Sequence, residues 1–190
     1  MESLSGKPWA QQPDELASFI KTLQKEKVTS YLEIGSRYGD TFYEVMQNLP
    51  VGSKGVAVDM VDGPWGRSDS REFLIGAVEK LRTMGYDASY VFGDSSLLST
   101  RQHVAGKATS FDCVLIDGDH RFEGLTLDWI NYSPIARLVA FHDIDGQEHF
   151  EKRSGSPVEV PYVWNILKRH RKYKEIVGKN RGMGIGVLWM

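Results

Sequence analysis

The sequence predicts an α/β fold, a mostly parallel sheet with helices on both faces, and two observations predict it. Short apolar runs alternate with amphipathic segments from end to end, with no internal repeat and no low-complexity tract, the pattern of successive βα units. Acids and glycines also collect just after those runs, in EIGSRYGD, VDM, GDSS and IDGDH, which is where open α/β sheets bind ligands.

Each element has its own warrant. PDELASFIKTLQKE (13–26) opens with Pro13 and Asp14 and spaces Leu16, Phe19, Ile20 and Leu23 as one helical face. It leads into the first strand, SYLEIGS, and then a helix, DTFYEVMQNL. GVAVDM is the second strand, and its continuous apolar character suits burial on both faces. After the polar loop VDGPWGRSDS, the helix REFLIGAVEKLRTMG ends at Gly85, suited to a left-handed cap. ASYVFGDS and FDCVLID are the third and fourth strands, RFEGLTLDWINYS a helix, and ARLVAFHDI the fifth strand. A second long polar loop, GQEHFEKRSGSPVEV, precedes the helix PYVWNILKRHR. KYKEIV and MGIGVLWM then pair as a terminal hairpin.

At 190 residues the chain suits one domain, 1–190, with residues 1–27 as an N-terminal helical cap. The net charge of −2 advertises neither nucleic acid nor a membrane as partner. Cys113 is the single cysteine, so no internal disulfide forms, and within VLI it reads as a core residue. The first residues lack the pattern of a signal peptide, and no apolar run is long enough for a membrane span. The expected location is cytoplasmic.

YLEIGSRYGDT puts Glu33, Gly35, Ser36 and Gly39 at the junction of the first strand and its helix. A dinucleotide fingerprint needs glycine where Arg37 and Asp40 stand, and Glu33 would repel a pyrophosphate while attracting an ammonium group. A P-loop is excluded as well, because GKATS has Gly106 and Lys107 without the earlier glycine. Asp59 ends the second strand, where acids accept hydrogen bonds from ribose, with Met60 beside it. Asp94 and Ser95 follow the third strand, placed to hold an adenine amino group. Adenosine joined to an amino acid describes S-adenosylmethionine.

With YLEIGSRYG, AVDM, GDSS and LIDGDH in this order, the chain resembles the class I S-adenosylmethionine-dependent methyltransferases over nearly its whole length. The resemblance implies a Rossmann-like sandwich with a seven-stranded, mostly parallel sheet and a C-terminal antiparallel hairpin. It implies that Glu33, Gly35, Ser36 and Gly39 line the methionine part, that Asp59 binds ribose, and that Asp94 and Ser95 lie near adenine. Asp117, at the end of the fourth strand, joins the cofactor set.

The fourth and fifth strands end in Asp117, Gly118, Asp119, His120 and in His142, Asp143. If those strands are neighbours, three or four ligand-type side chains converge, a set suited to Mg²⁺ or, with an imidazole, Mn²⁺. Here the chain is similar to the metal-dependent O-methyltransferase branch, with its macrolide-sugar O-methyltransferase and cephalosporin-hydroxylase-like relatives. That likeness makes Asp117 and Asp143 metal ligands and His120 the general base, with His142 standing where a carboxylate is usual. Asp119 reads as a helix cap, and His103, His149 and His170 as surface residues.

The two long loops, with Trp65, Arg67, His149, Phe150, Lys152 and Arg153, are expected to shape an acceptor pocket. KRHRKYK is a solvated helix end. The expected function is O-methylation of a hydroxylated small molecule, sugar-like or polyol-like, with divalent-metal assistance, and the sequence leaves room for a homo-oligomer. Two alternatives stay open: a non-haem metal hydroxylase-like enzyme, and a non-catalytic protein that binds an adenosine ligand.

Overall fold

The computed structural model describes residues 3–7, 11–61, 69–145, 149–151, 156–178 and 183–190. In chain order the elements are α1 (Pro13–Lys25), β1 (Ser30–Ile34), α2 (Asp40–Gln47), β2 (Lys54–Asp59), α3 (Ser70–Thr83) and β3 (Asp87–Phe92). There follow α4 (Leu98–Ala105), β4 (Phe111–Ile116), α5 (Phe122–Tyr132), β5 (Ala136–His142), β6 (His149–Glu151) and β7 (Ser156–Val158). The chain closes with α6 (Val160–Leu167), β8 (Tyr173–Ile176) and β9 (Ile185–Trp189).

Seven strands form one sheet in the order β3-β2-β1-β4-β5-β9-β8. The first five are parallel, whereas β9 runs antiparallel to both β5 and β8. Strand order reverses around β1, which opens a crevice at the carboxyl ends of β1 and β4. The expected sheet and terminal hairpin are both present.

Side-chain alternation along each strand divides the core into two layers. On one face, Leu16, Phe19 and Leu23 of α1, Phe42 and Met46 of α2 and Leu74 and Val78 of α3 pack with Tyr31, Ala57, Cys113 and Leu115. On the other, Leu125 and Tyr132 of α5 and Val163 and Trp164 of α6 pack with Leu32, Val56, Val114 and Val139. Cys113 is fully buried, as its setting in an apolar run implied, and burial pushes its thiol pKa up.

Glu15 of α1 is the exception in the first layer. It is fully buried, and its two oxygens accept the backbone N–H groups of Gly178 (2.7 Å) and Gly184 (3.1 Å), which flank the β8–β9 connection. The first helix is thereby tied to the terminal hairpin.

Three elements, α4, β6 and β7, were not expected from the sequence. α4 buries only Thr100 and Val104 and leaves Leu97 and Leu98 exposed, so its apolar residues mark no helical face. The second long loop contains the short antiparallel pair β6–β7. Among the described residues, no helix is long and apolar enough to cross a membrane.

Candidate functional site

The carboxyl ends of β1, β2, β3, β4 and β5 bring most of the expected site residues together. Gly35 leaves β1 with φ +88°, and its N–H, with that of Ser36, donates to the Val58 carbonyl on β2. A Cβ on Gly35 would lie 2.2 Å from the Asp117 backbone oxygen, so glycine here lets β1 and β4 turn away side by side. Gly39 caps α2 at φ +80°, where a Cβ would meet Ala77 and Leu74 at 2.9 Å. Close packing of α2 on α3 accounts for that second glycine.

Glu33 is 1% exposed and accepts a hydrogen bond from the Tyr31 hydroxyl at 2.7 Å. Burial pushes its carboxyl up to about 8, the Tyr31 hydrogen bond opposes the rise, and the nearby Asp117 charge adds to it. Ser36 is buried and donates from Oγ to the Glu33 carbonyl. Asp59 joins two loops, since Oδ2 accepts Arg37 N–H (2.6 Å) and Oδ1 accepts Val61 N–H (2.7 Å). Burial raises its pKa against those two bonds. Met60 is 43% exposed beside it, an apolar side chain open to a ring.

At the end of β3, Asp94 Oδ1 accepts both the N–H and the hydroxyl of Ser96, closing its own turn. The Ser95 carbonyl accepts the Tyr132 hydroxyl at 2.9 Å. One turn earlier on α5, Asp128 points inward at 1% exposure while Leu127 and Ile130 face outward. Neither Asp128 oxygen has a hydrogen-bond partner among the described residues. Burial pushes this carboxyl up to about 7, moderated by the nearby Ser95 hydroxyl. The sequence reading passed over Asp128, though a lone acid inside GLTLDWI was a signal available to it.

A stability prediction follows from the direction of that shift. A carboxyl whose pKa is raised on folding loses stability as pH rises from its unfolded value through the folded one. Asp128→Asn removes that dependence and keeps the shape. It should be more stable than wild type at pH 8 by about 2 kcal/mol, roughly half of what the full shift represents, since the amide stays unsatisfied. The gap should close toward pH 4, and urea denaturation at both pH values measures it.

Parallel pairing of β4 with β5 sets Ile116 opposite Phe141, so Asp117 and His142 emerge together. Asp117 Oδ1 contacts His120 Nε2 (3.3 Å) and His142 Nδ1 (3.2 Å). Asp143 places Oδ2 at 3.2 Å from His120 Nδ1 and Oδ1 at 3.3 Å from His142 Nδ1. Burial would raise the Asp117 pKa, yet the imidazoles of His142 and His120 hold it well below the usual carboxylate range. Burial would lower both histidine pKa values, and the Asp117 and Asp143 carboxylates reverse that and raise them. The backbone of the turn is fixed by Glu159, whose N–H donates to the His120 carbonyl and whose carboxylate accepts Phe122 N–H.

The expected metal set, Asp117, His142 and Asp143, is thus assembled as an ion-paired cluster. Among the described residues, no three His, Cys, Asp or Glu side chains are placed to hold a metal ion. The two carboxylates are turned onto the same two imidazoles and are satisfied by them. Asp119 accepts the Arg121 N–H and guanidinium and so braces the turn.

The N-terminal segment also reaches the crevice. Ser5 N–H donates to Asp40 at 2.8 Å, Lys7 pairs with Asp69 at 2.8 Å, and Gln11 Nε2 donates to Asp117 Oδ2 at 2.8 Å. Of the four non-glycine residues with positive φ, Arg37, Val61 and Asp143 line this same edge, a concentration of backbone strain typical of ligand sites. His103 and His170 are exposed. Trp65, Arg67, Lys152 and Arg153, and the side chains of His149 and Phe150, lie outside the described residues.

No family model matches the chain, and no curated protein matches it. Solved structures do. The O-methyltransferase from Bacillus cereus in complex with SAH is 14% identical, with a TM-score of 0.65 over 95% of this chain and 82% of that one. The O-methyltransferase TomG from Streptomyces achromogenes, involved in tomaymycin synthesis and in complex with SAM, is 15% identical, with a TM-score of 0.64 over 95% and 82%. Cofactor-bound Rv0187 from MTB is 16% identical, with a TM-score of 0.66 over 99% and 83%. The chain has the Rossmann-like fold of the class I methyltransferases.

Proposed function

We propose that this protein is an S-adenosylmethionine-dependent methyltransferase acting on a hydroxyl oxygen of a small, sugar-like or polyol-like molecule. The observation that carries the reading is the position of His120, held between Asp117 and Asp143 at the sheet edge that also bears the glycine turn. The cofactor supplies an electrophilic methyl group when bound. Gly35, Ser36 and Glu33 would hold its methionine part, Asp59 and Met60 its ribose, and Asp94 and Ser95 the adenine side.

His120 would take the acceptor's proton, and the carboxylate that stays against the ring would stabilise the imidazolium that results. The acceptor oxygen would replace one carboxylate against the ring and so be held by His120 facing the electrophilic methyl group. Positioning of the two reactants contributes alongside the base.

Metal assistance by Mg²⁺ or Mn²⁺ is the second reading, favoured by two carboxylates and two imidazoles in mutual contact. Those groups are occupied by one another as they stand, so no step above is routed through an ion. An intact-mass screen of hydroxylated acceptors, run with chelator and with each metal, tests both readings. No methylated product under any condition would defeat the proposal; turnover indifferent to chelator would remove the metal.

Binding itself provides a sharper check. Glu33 is largely protonated at neutral pH without ligand, and an ammonium group beside it favours the charged form. Binding of S-adenosylhomocysteine should therefore release a proton and tighten as pH rises toward about 8. Calorimetry in buffers of different ionisation enthalpy reads the release, which Glu33→Gln should abolish. Tighter binding of NAD than of S-adenosylhomocysteine would show the cofactor to be wrongly assigned.

A further inference from the structure

Gln11 lies just before α1 and is 2% exposed. Its side-chain nitrogen donates to Asp117 Oδ2 at 2.8 Å. That contact sets the orientation of the amide, because its nitrogen is the only side-chain donor Gln11 can offer a carboxylate oxygen. The amide oxygen must face the other way. There it is buried with no hydrogen-bond partner among the described residues, an arrangement that is costly unless a donor arrives.

The groups around Asp117 point to a donor. His120 and His142 both engage Oδ1 of Asp117, whereas Gln11 engages Oδ2. Gln11 therefore approaches the carboxylate by a different oxygen from the one that serves the proposed base. The Asp117 backbone is in near contact with Gly35, and the Asp117 charge is felt by Glu33. A cation in the β1–β4 crevice would meet the Glu33 carboxyl, which already accepts from Tyr31 on one oxygen. An ammonium group has three N–H donors and needs more acceptors than Glu33 alone provides.

We propose that Gln11 is a cofactor-binding residue whose side-chain oxygen accepts a hydrogen bond from the α-ammonium group of S-adenosylmethionine. The inference rests on the cofactor assignment above and adds a residue from the N-terminal segment to it. It makes Gln11, just before α1, part of the cofactor site, with one amide serving two purposes. Its nitrogen orients Asp117, and its oxygen recognises the amino-acid end of the ligand.

The test compares S-adenosylhomocysteine with 5′-methylthioadenosine, which shares the nucleoside and thioether and lacks the amino acid. Gln11→Met keeps the length of the side chain and removes both polar atoms. It should weaken S-adenosylhomocysteine about 10-fold or more, as expected for a lost hydrogen bond to a charged group, and leave 5′-methylthioadenosine unchanged. Equal losses for the two ligands, or no loss for either, would overturn the assignment.

A measurement on the wild-type chain guards against a variant that folds poorly. The Gln11 side-chain amide resonance in a ¹⁵N-labelled sample should shift on adding S-adenosylhomocysteine and stay in place on adding 5′-methylthioadenosine. A resonance unmoved by both bound ligands refutes the role of Gln11 alone. Failure of the wild-type protein to bind either nucleoside refutes the cofactor assignment, and this inference with it.

Discussion

His120→Ala should lower turnover by about 10²-fold to 10⁴-fold, the range for loss of a general base, while binding of S-adenosylhomocysteine stays near the wild-type value. The separation is expected because His120 contacts Asp117 Oδ1 and Asp143, whereas Gly35, Ser36 and Asp59 bond to Val58, Arg37 and Val61. The pH profile carries the sign of the mechanism. A base works deprotonated, so wild-type activity should fall as pH drops through the His120 pKa, which its carboxylate neighbours have raised. In the variant, the deficit should shrink as pH rises and the acceptor hydroxyl ionises unaided. Steady-state kcat measured across pH for both proteins decides the matter; normal turnover in the variant would leave Asp117, Asp119 and His120 as structural residues of a turn whose helix is not side-chain capped, its N-cap position being Arg121 and not the expected Asp119.

Gly35→Ala is expected to damage the protein before it can damage catalysis. Its φ of +88° disfavours any side chain, and the added Cβ would fall 2.2 Å from the Asp117 carbonyl oxygen, a backbone atom that cannot step aside without moving β4. A loss of about 4 kcal/mol or more is expected, at the exceptional end for single substitutions. Gly52 supplies the control, since its φ is +87° and nothing lies within 4 Å of its Cβ position. Gly52→Ala should cost only the backbone part, about 1–2 kcal/mol. Urea denaturation of the two variants isolates the contact term, and equal losses would refute it. The added side chain collides with the turn that leaves the neighbouring strand.

The parts of the fold that could be read from residues were those in which burial leaves a periodic mark. GVAVDM and FDCVLID declare strands covered on both faces, and the adjacency of LID and AFHD put Asp117 beside His142. α4 left no such mark, because it packs by Thr100 and Val104 while Leu97 and Leu98 stay in solvent. Gln11 was hidden for a different reason. It meets Asp117 across 106 positions of chain, and a single amide before a helix has no spacing to betray it. Gly39 was grouped with Gly35 by motif, yet its immediate reason is the approach of α2 to Leu74 and Ala77.

The tie between Glu15 and the terminal hairpin governs the order in which the molecule can be completed. Its backbone partners lie 163 and 169 residues later in the chain, so on the ribosome α1 must wait for nearly everything else to emerge. Until then Glu15 is a charged side chain on the apolar face of α1, with Leu16 and Phe19 uncovered beside it. Such late, long-range closure slows folding and prolongs exposure of apolar surface. Gln11, four residues before Glu15, rides on the same helix end, so the last event of folding and the delivery of its amide to Asp117 become a single closure.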